Sequence, residues 1–94
     1  MSEMSLNAQI MCMKEIREKL GELCQVMGET MDKMQGQIRY LRSEGFSVET
    51  EETYQKRYYG PAKEQVDQVI KNIHSRHFDY IDNVIEYLER AKNR

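Results

Sequence analysis

The strongest constraint in this sequence is an apolar stripe that runs through the first half with the spacing of a coiled coil. Between Leu6 and Leu41 the large apolar residues recur at a mean step of about 3.5 residues, which is the heptad value. The stripe consists of Leu6, Ile10, Met13, Ile16, Leu20, Leu23, Met27, Met31, Met34, Ile38 and Leu41. Mostly charged and amide side chains lie between them, as a solvated helix face requires. The pattern predicts one long helix over residues of about 5–43.

The stripe breaks at a predicted turn over residues of about 44–47. Gly45 suits the left-handed position after a helix, and Ser47 suits the N-cap of the next one. A second helix is predicted over about 48–91, with a kink or a break at Gly60-Pro61. Its stripe contains Tyr54, Tyr58, Ala62, Val66, Val69, Ile73, His77, Tyr80, Val84, Tyr87 and Ala91, flanked by Ile70, Ile81, Ile85 and Leu88.

These two helices predict an all-α protein with a single domain over residues 1–94. A loop this short requires the helices to run antiparallel, as a two-helix hairpin with a coiled-coil-like seam. Two helices have no third layer to cover their apolar stripes, and a chain of 94 residues buries a modest fraction of its surface. We therefore expect the hairpin to assemble into a helical bundle, either with itself or with a partner.

The composition excludes several classes of function. The chain carries 14 Lys and Arg against 16 Asp and Glu, spread evenly, so it lacks the basic excess of a nucleic-acid or anionic-membrane binder. A hydrophobic content of 39% argues against a disordered tail. No apolar run approaches the roughly 20 residues of a membrane span. Met1–Met4 lack a basic region and an apolar stretch, which predicts a cytoplasmic start without a standard signal peptide.

Residues that could carry chemistry are sparse. There is no Gly-rich phosphate loop, nucleophile elbow or catalytic carboxylate pair, so we expect no enzyme activity, no cofactor and no small-molecule substrate. His74 and His77 have helical spacing but no third metal ligand, and they are expected to be interface residues. Cys12 and Cys24, about 18 Å apart on one helix, are too distant for an intrachain disulfide. They are free thiols or form a bridge between chains.

Aromatic residues offer candidates for protein contacts. Tyrosines cluster at 54–59, and Tyr80 and Tyr87 lie seven apart; they either pack in the bundle or act as exposed interface anchors. Phe78 and Asp82 are four residues apart and so share one helix face. Such a pair can present an apolar anchor and a fixed charge to a receptor, or it can be a half-buried ring beside a solvated carboxylate.

Together these features resemble the WXG/ESAT-type superfamily of small helical hairpins that type VII secretion systems handle. The likeness rests on the length, the two long helices, the Gly-containing turn and the aromatic-rich start of the second helix. The chain has no Trp and so lacks the W-x-G of the turn. Phe78-Asp79-Tyr80-Ile81-Asp82 looks like the F-x-x-x-D variant of a related group, the small α-helical targeting partners of LXG-domain toxins in Gram-positive bacteria.

That resemblance implies a non-enzymatic adaptor. It would bind the helical N-terminal domain of an LXG toxin, often with a second small helical protein, and would present Phe78 and Asp82 to the secretion machinery as an export signal. Phe78 and Asp82 would then contribute little to folding and much to export. The expected partner interface consists of Met27, Met31, Met34, Ile70, Ile73, Val84 and Leu88. Two alternatives stay open: a secreted homodimeric substrate of the same superfamily, and a cytosolic coiled-coil adaptor unrelated to secretion.

Overall fold

The computed structural model describes residues 5–94, and over this range the chain is helical except at its ends and at one turn. Met1–Met4, to which the expectation about a signal peptide applies, lie outside the described residues. The all-α class, with one long helix followed by a second long helical stretch, is confirmed. Assembly into a bundle stays a prediction. No helix of the described part is long and apolar enough to cross a membrane.

The first helix, α1, spans Leu6–Ser43. After the turn, the second helical stretch contains three α-helical segments separated by two wider π-helical segments. In chain order its elements are α2 (Val48–Tyr54), a first π segment (Gln55–Tyr59), α3 (Gly60–Asn72), a second π segment (Ile73–His77) and α4 (Phe78–Lys92).

The turn after α1 is built as the sequence predicts. Gly45 has a φ of 93°, a left-handed conformation that favours glycine. The amide of Phe46 donates to the Leu41 carbonyl at 3.1 Å, and the amide of Gly45 donates to the Arg42 carbonyl at 3.4 Å. These two bonds form a Schellman motif that satisfies the last carbonyls of α1. Ser47 then caps α2, its hydroxyl accepting a 3.1 Å hydrogen bond from the Thr50 amide.

The first π segment lies immediately before Gly60-Pro61, where the sequence predicts a kink or break. Pro61 has no amide hydrogen to donate to a preceding turn. The helix nevertheless continues, and the amide of Gly60 bonds to the Gln55 carbonyl five residues back. A Cβ at position 60 would lie 3.1 Å from that same carbonyl oxygen, so a larger residue here would need the carbonyl to move by a few tenths of an ångström.

The chain divides into two compact units. Unit 1 comprises the residues up to Leu23 together with Lys71–Arg94. Its buried side chains are Ile10, Ile73, Phe78, Ile81 and Leu88. Two ion pairs, Lys14–Glu89 and Arg17–Asp82, join its α1 segment to α4. The residue number of the α4 partner decreases as that of the α1 partner increases. The two segments therefore run antiparallel.

Unit 2 comprises Cys24–Ile70. Met31, Ile38 and Tyr59 form its buried cluster, against which Ala62 and Val66 pack. The hydroxyl of Tyr59 donates a 3.2 Å hydrogen bond to the Met31 carbonyl, so the one polar atom of this ring is satisfied inside the cluster. Arg42 forms an ion pair with the buried Glu51 next to the turn.

The predicted seam of the second helical stretch is wrong at several positions. Before Ile73, its members Tyr54, Tyr58 and Val69 are exposed, and after Ile73 the covered face is displaced. Periodicity placed His77, Tyr80 and Tyr87 on the covered face, yet all three are exposed. The covered residues are instead their C-terminal neighbours Phe78, Ile81 and Leu88. The second π segment explains the difference, because a π turn adds one residue to the helix and so moves the covered face on by one position.

Candidate protein-interaction site

Arg17 stands at a position of α1 where an apolar residue is expected. The buried residues of α1 are Ile10, Cys24, Met31 and Ile38, all separated by multiples of seven, and Arg17 falls in the same series. Its guanidinium carbon lies 4.3 Å from the centre of the Phe78 ring. An arginine can occupy such a position because its flat guanidinium stacks on an aromatic face while its nitrogens reach a carboxylate.

Asp82 supplies that carboxylate. Nε of Arg17 donates to Oδ1 of Asp82 at 2.8 Å, and Nη2 donates to Oδ2 at 3.4 Å. The hydrogen bond to Asp82 raises the pKa of Arg17 above its ordinary value. The ring of His74 packs edge-on against Phe78, with 4.9 Å between the ring centres. The sequence-predicted pair, Phe78 and Asp82, is therefore brought together, and both of its members contact one arginine.

The two members of the pair differ in exposure. The Asp82 side chain keeps 52% of its surface exposed, whereas Phe78 keeps 9%. The expectation that Phe78 contributes little to folding is therefore wrong, since its ring belongs to the buried core of unit 1. Sequence reasoning missed Arg17, and its place in the seven-residue series with Ile10 and Cys24 is the signal that could have found it.

Both ion pairs lie on one side of unit 1, which we call the charged face; it is defined by Lys14, Arg17, Asp82 and Glu89. The Lys14–Glu89 pair measures 3.6 Å, and its side chains are about half exposed. Exposed pairs of this kind contribute little to stability. These two ion pairs are informative about geometry. They show which flank of α1 lies on the same side of unit 1 as which flank of α4.

The opposite side of unit 1 is apolar. Successive residues of a helix are rotated by about 100° around its axis. The flank of α1 that points away from Lys14 therefore carries Ile16, Leu20 and Leu23. In the same way, the flank of α4 that points away from Glu89 carries Tyr80 and Tyr87. Exposure is 48% for Ile16 and 47% for Leu23. It reaches 68% for Tyr80 and 71% for Tyr87. We call this the apolar face of unit 1; its residues are Cys12, Ile16, Leu20, Leu23, Tyr80, Val84 and Tyr87.

The α1 part of this face is a shallow, open surface formed by residues of this one helix. Cys12, Ile16, Leu20 and Leu23 line it, with Glu15 and Lys19 beside them. Apolar side chains spaced three and four residues apart, with charges at the border, are the pattern by which one amphipathic helix receives another. Unit 2 has a second open surface, formed by Thr30, Lys33, Met34, Gln37, Ile38, Leu41 and Tyr54.

The residues predicted to form the partner interface differ in exposure. Met31, Ile73 and Leu88 are buried against the chain's own residues. Met34 is 36% exposed. Met27, Ile70 and Val84 are half-buried, and Val84 belongs to the apolar face of unit 1. The assignment of these seven residues to a partner interface stays a prediction.

Groups with potential chemistry are few among residues 5–94. No three His, Cys, Asp or Glu side chains of this range are placed to hold a metal ion. His74 and His77 are both exposed. Cys12 and Cys24 form no disulfide with each other; Cys24 is buried in unit 2 and Cys12 is exposed on the apolar face of unit 1. Comparison with known proteins gave no match to any protein-family model, curated protein or solved structure.

Proposed function

We propose that this protein is a non-enzymatic adaptor that packs beside helices of a second protein. The observation that carries the proposal is the apolar face of unit 1, where Ile16, Leu23, Tyr80 and Tyr87 are all about half exposed or more. Isolated apolar residues on a surface are ordinary, whereas a contiguous apolar face on two neighbouring helices is typical of an interaction site. Aromatic side chains such as those of Tyr80 and Tyr87 are common anchors in such sites.

We further propose that the second protein is the helical N-terminal domain of an LXG toxin, and that the adaptor directs it to a type VII secretion system. This part rests on the sequence resemblance, above all on Phe78 and Asp82. The position of Asp82 suits the role, because its half-exposed carboxylate lies on the charged face while Ile16 and Leu23 lie on the apolar one; the Phe78 ring is buried beside it. A toxin helix docked on the apolar face would leave Asp82 open to the secretion machinery. A second small helical protein could join the same bundle.

Co-purification with the toxin domain tests the docking surface. We expect Ile16→Glu to abolish the complex, because it places a charge in the centre of the apolar face. Met11→Glu is the matched control: it makes the same chemical change on the same helix at a residue that is 70% exposed and lies off the face. Loss of the complex in the first variant and its retention in the second supports the proposal. Equal binding by both variants, or none by the wild type, contradicts it.

Size measurement in solution separates this proposal from the secreted homodimer. An adaptor forms a mixed complex with the toxin domain at the expense of any self-association, because both would use the same apolar surface. A homodimer that persists unchanged in the presence of the toxin domain would favour the alternative.

A further inference from the structure

Two neighbouring stripes of side chains run along α4 after the second π segment. One stripe is buried and the other is exposed. The covered stripe contains Phe78, Ile81 and Leu88, and the exposed one contains His77, Tyr80 and Tyr87. Each exposed residue is the chain neighbour of a covered one. The two stripes are thus related by a shift of a single residue.

A π segment is the structural element that makes such a shift possible. Within Ile73–His77 the helix holds one residue more than regular α-helical geometry allows, so the amide of Phe78 bonds to the Ile73 carbonyl five residues back. If this segment became α-helical, α4 would turn by about 100° relative to the α1 segment of unit 1, which is the rotation per residue of an α-helix. His77, Tyr80, Val84 and Tyr87 would then face α1.

We infer that α4 has two registers, the observed one and a less populated one in which Ile73–His77 is α-helical and the exposed stripe is covered. The observed register is favoured because it buries Phe78, Ile81 and Leu88, which are more apolar than the tyrosines and histidine of the other stripe. The second register is accessible because its stripe also has regular helical spacing and contains large side chains.

Arg17 discriminates between the two registers. Its contacts with the Phe78 ring and with both Asp82 oxygens exist only when α4 has the observed rotation. In the second register Phe78 and Asp82 turn away from α1, so the ring becomes exposed and the carboxylate is released. Resting on the function proposed above, this gives the register change a role: it uncovers the Phe78 ring beside the already exposed Asp82 for the export machinery. Because Tyr80, Val84 and Tyr87 then face α1, the toxin domain would be held in this register by the α1 part of the apolar face, Ile16, Leu20 and Leu23.

The register change is tested on the free protein, without any toxin. Shifts of helix register occur on the microsecond-to-millisecond scale, which nuclear magnetic resonance relaxation dispersion measures. We expect exchange in the second π segment, in α4, including the methyl groups of Ile81, Val84 and Leu88, and at α1 residues in contact with α4 such as Arg17. Deletion of Ser75 removes the extra residue, so it fixes the observed rotation with regular α-helical geometry and should abolish the exchange.

Two substitutions complete the test. Arg17→Ala removes contacts specific to the observed register and should raise the minor population several-fold. Lys19→Ala is the control, since Lys19 pairs with Glu22 on its own helix and should leave the population unchanged. Absence of exchange in the wild type overturns the inference. Exchange that survives deletion of Ser75 also overturns it, because local unfolding rather than a register change would then be its source.

The same deletion separates this inference from the proposed function. If the pair must be uncovered, the Ser75 deletion variant should bind the toxin domain but fail to support its export. If that variant exports normally while Asp82→Asn does not, the export signal stands and the register requirement is wrong. If Asp82→Asn also exports normally, the proposed signal itself is wrong.

Discussion

Nε of Arg17 donates a 2.8 Å hydrogen bond to Oδ1 of Asp82, and this bond joins α1 to α4 across unit 1. Exchange of the two charges tests whether the contact matters for folding. Arg17→Asp and Asp82→Arg should each lower the melting temperature, because each places like charges opposite one another. The double variant should melt above both single variants in thermal circular dichroism. A double variant that melts below both would show that the pairing does not determine the effect.

The burial of Phe78 predicts a large effect on stability. Phe78→Ala should lower the free energy of unfolding by about 3–5 kcal/mol, the usual cost of removing a buried phenylalanine ring. Tyr80→Ala, two residues away and 68% exposed, should change it by about 0.5 kcal/mol or less. Urea denaturation measures both values. Equal effects of the two substitutions would mean that α4 does not have the observed rotation.

The Tyr59 hydroxyl offers a test within unit 2. Tyr59→Phe removes the buried hydrogen bond from the Tyr59 hydroxyl to the Met31 carbonyl, which should cost about 1 kcal/mol. Tyr58→Phe is the control because Tyr58 is 60% exposed, and it should be neutral. The same denaturation experiment compares them. A neutral Tyr59→Phe would contradict the buried hydrogen bond.

Two glycines of α1 and its turn should respond to alanine with opposite sign. Gly45→Ala forces a Cβ into a left-handed conformation and should destabilise the protein by about 1–2 kcal/mol. Gly28→Ala should stabilise it by up to about 1 kcal/mol, because Gly28 is inside a helix and a Cβ there would meet nothing within 4 Å. Melting temperatures reveal the signs. A loss of stability in Gly28→Ala would indicate that another helix approaches this position closely.

The helical class could be predicted from sequence because hydrophobic spacing and turn residues determine it locally. The stripe of α1 and the signals at Gly45 and Ser47 suffice for the first helix and the turn. The covered face of α4 could not be predicted in this way. Regular spacing favours Tyr80 and Tyr87, whereas the burial of Phe78 and Ile81 outweighs the cost of one π turn. Which of the two neighbouring stripes is buried depends on tertiary packing. Hydrophobic spacing in the sequence carries no information about that packing.

The candidate site was predictable to a similar extent. The spacing of Phe78 and Asp82 places them on one helix face, but it does not reveal that Phe78 is buried or that Arg17 binds both. The spacing of residues also does not reveal that unit 1 has an apolar face and a charged face on opposite sides. That separation follows from the Lys14–Glu89 and Arg17–Asp82 pairs, which form only once α1 and α4 lie side by side.

Secretion of the toxin measures the proposed role most directly. The amount of LXG toxin in the culture supernatant should fall to background when this protein is absent, and also when it carries Asp82→Asn. Asp79→Asn, an identical change at an exposed residue of the same helix, should leave secretion at the wild-type level. Toxin that reaches the supernatant in the same amount without this protein would contradict the account.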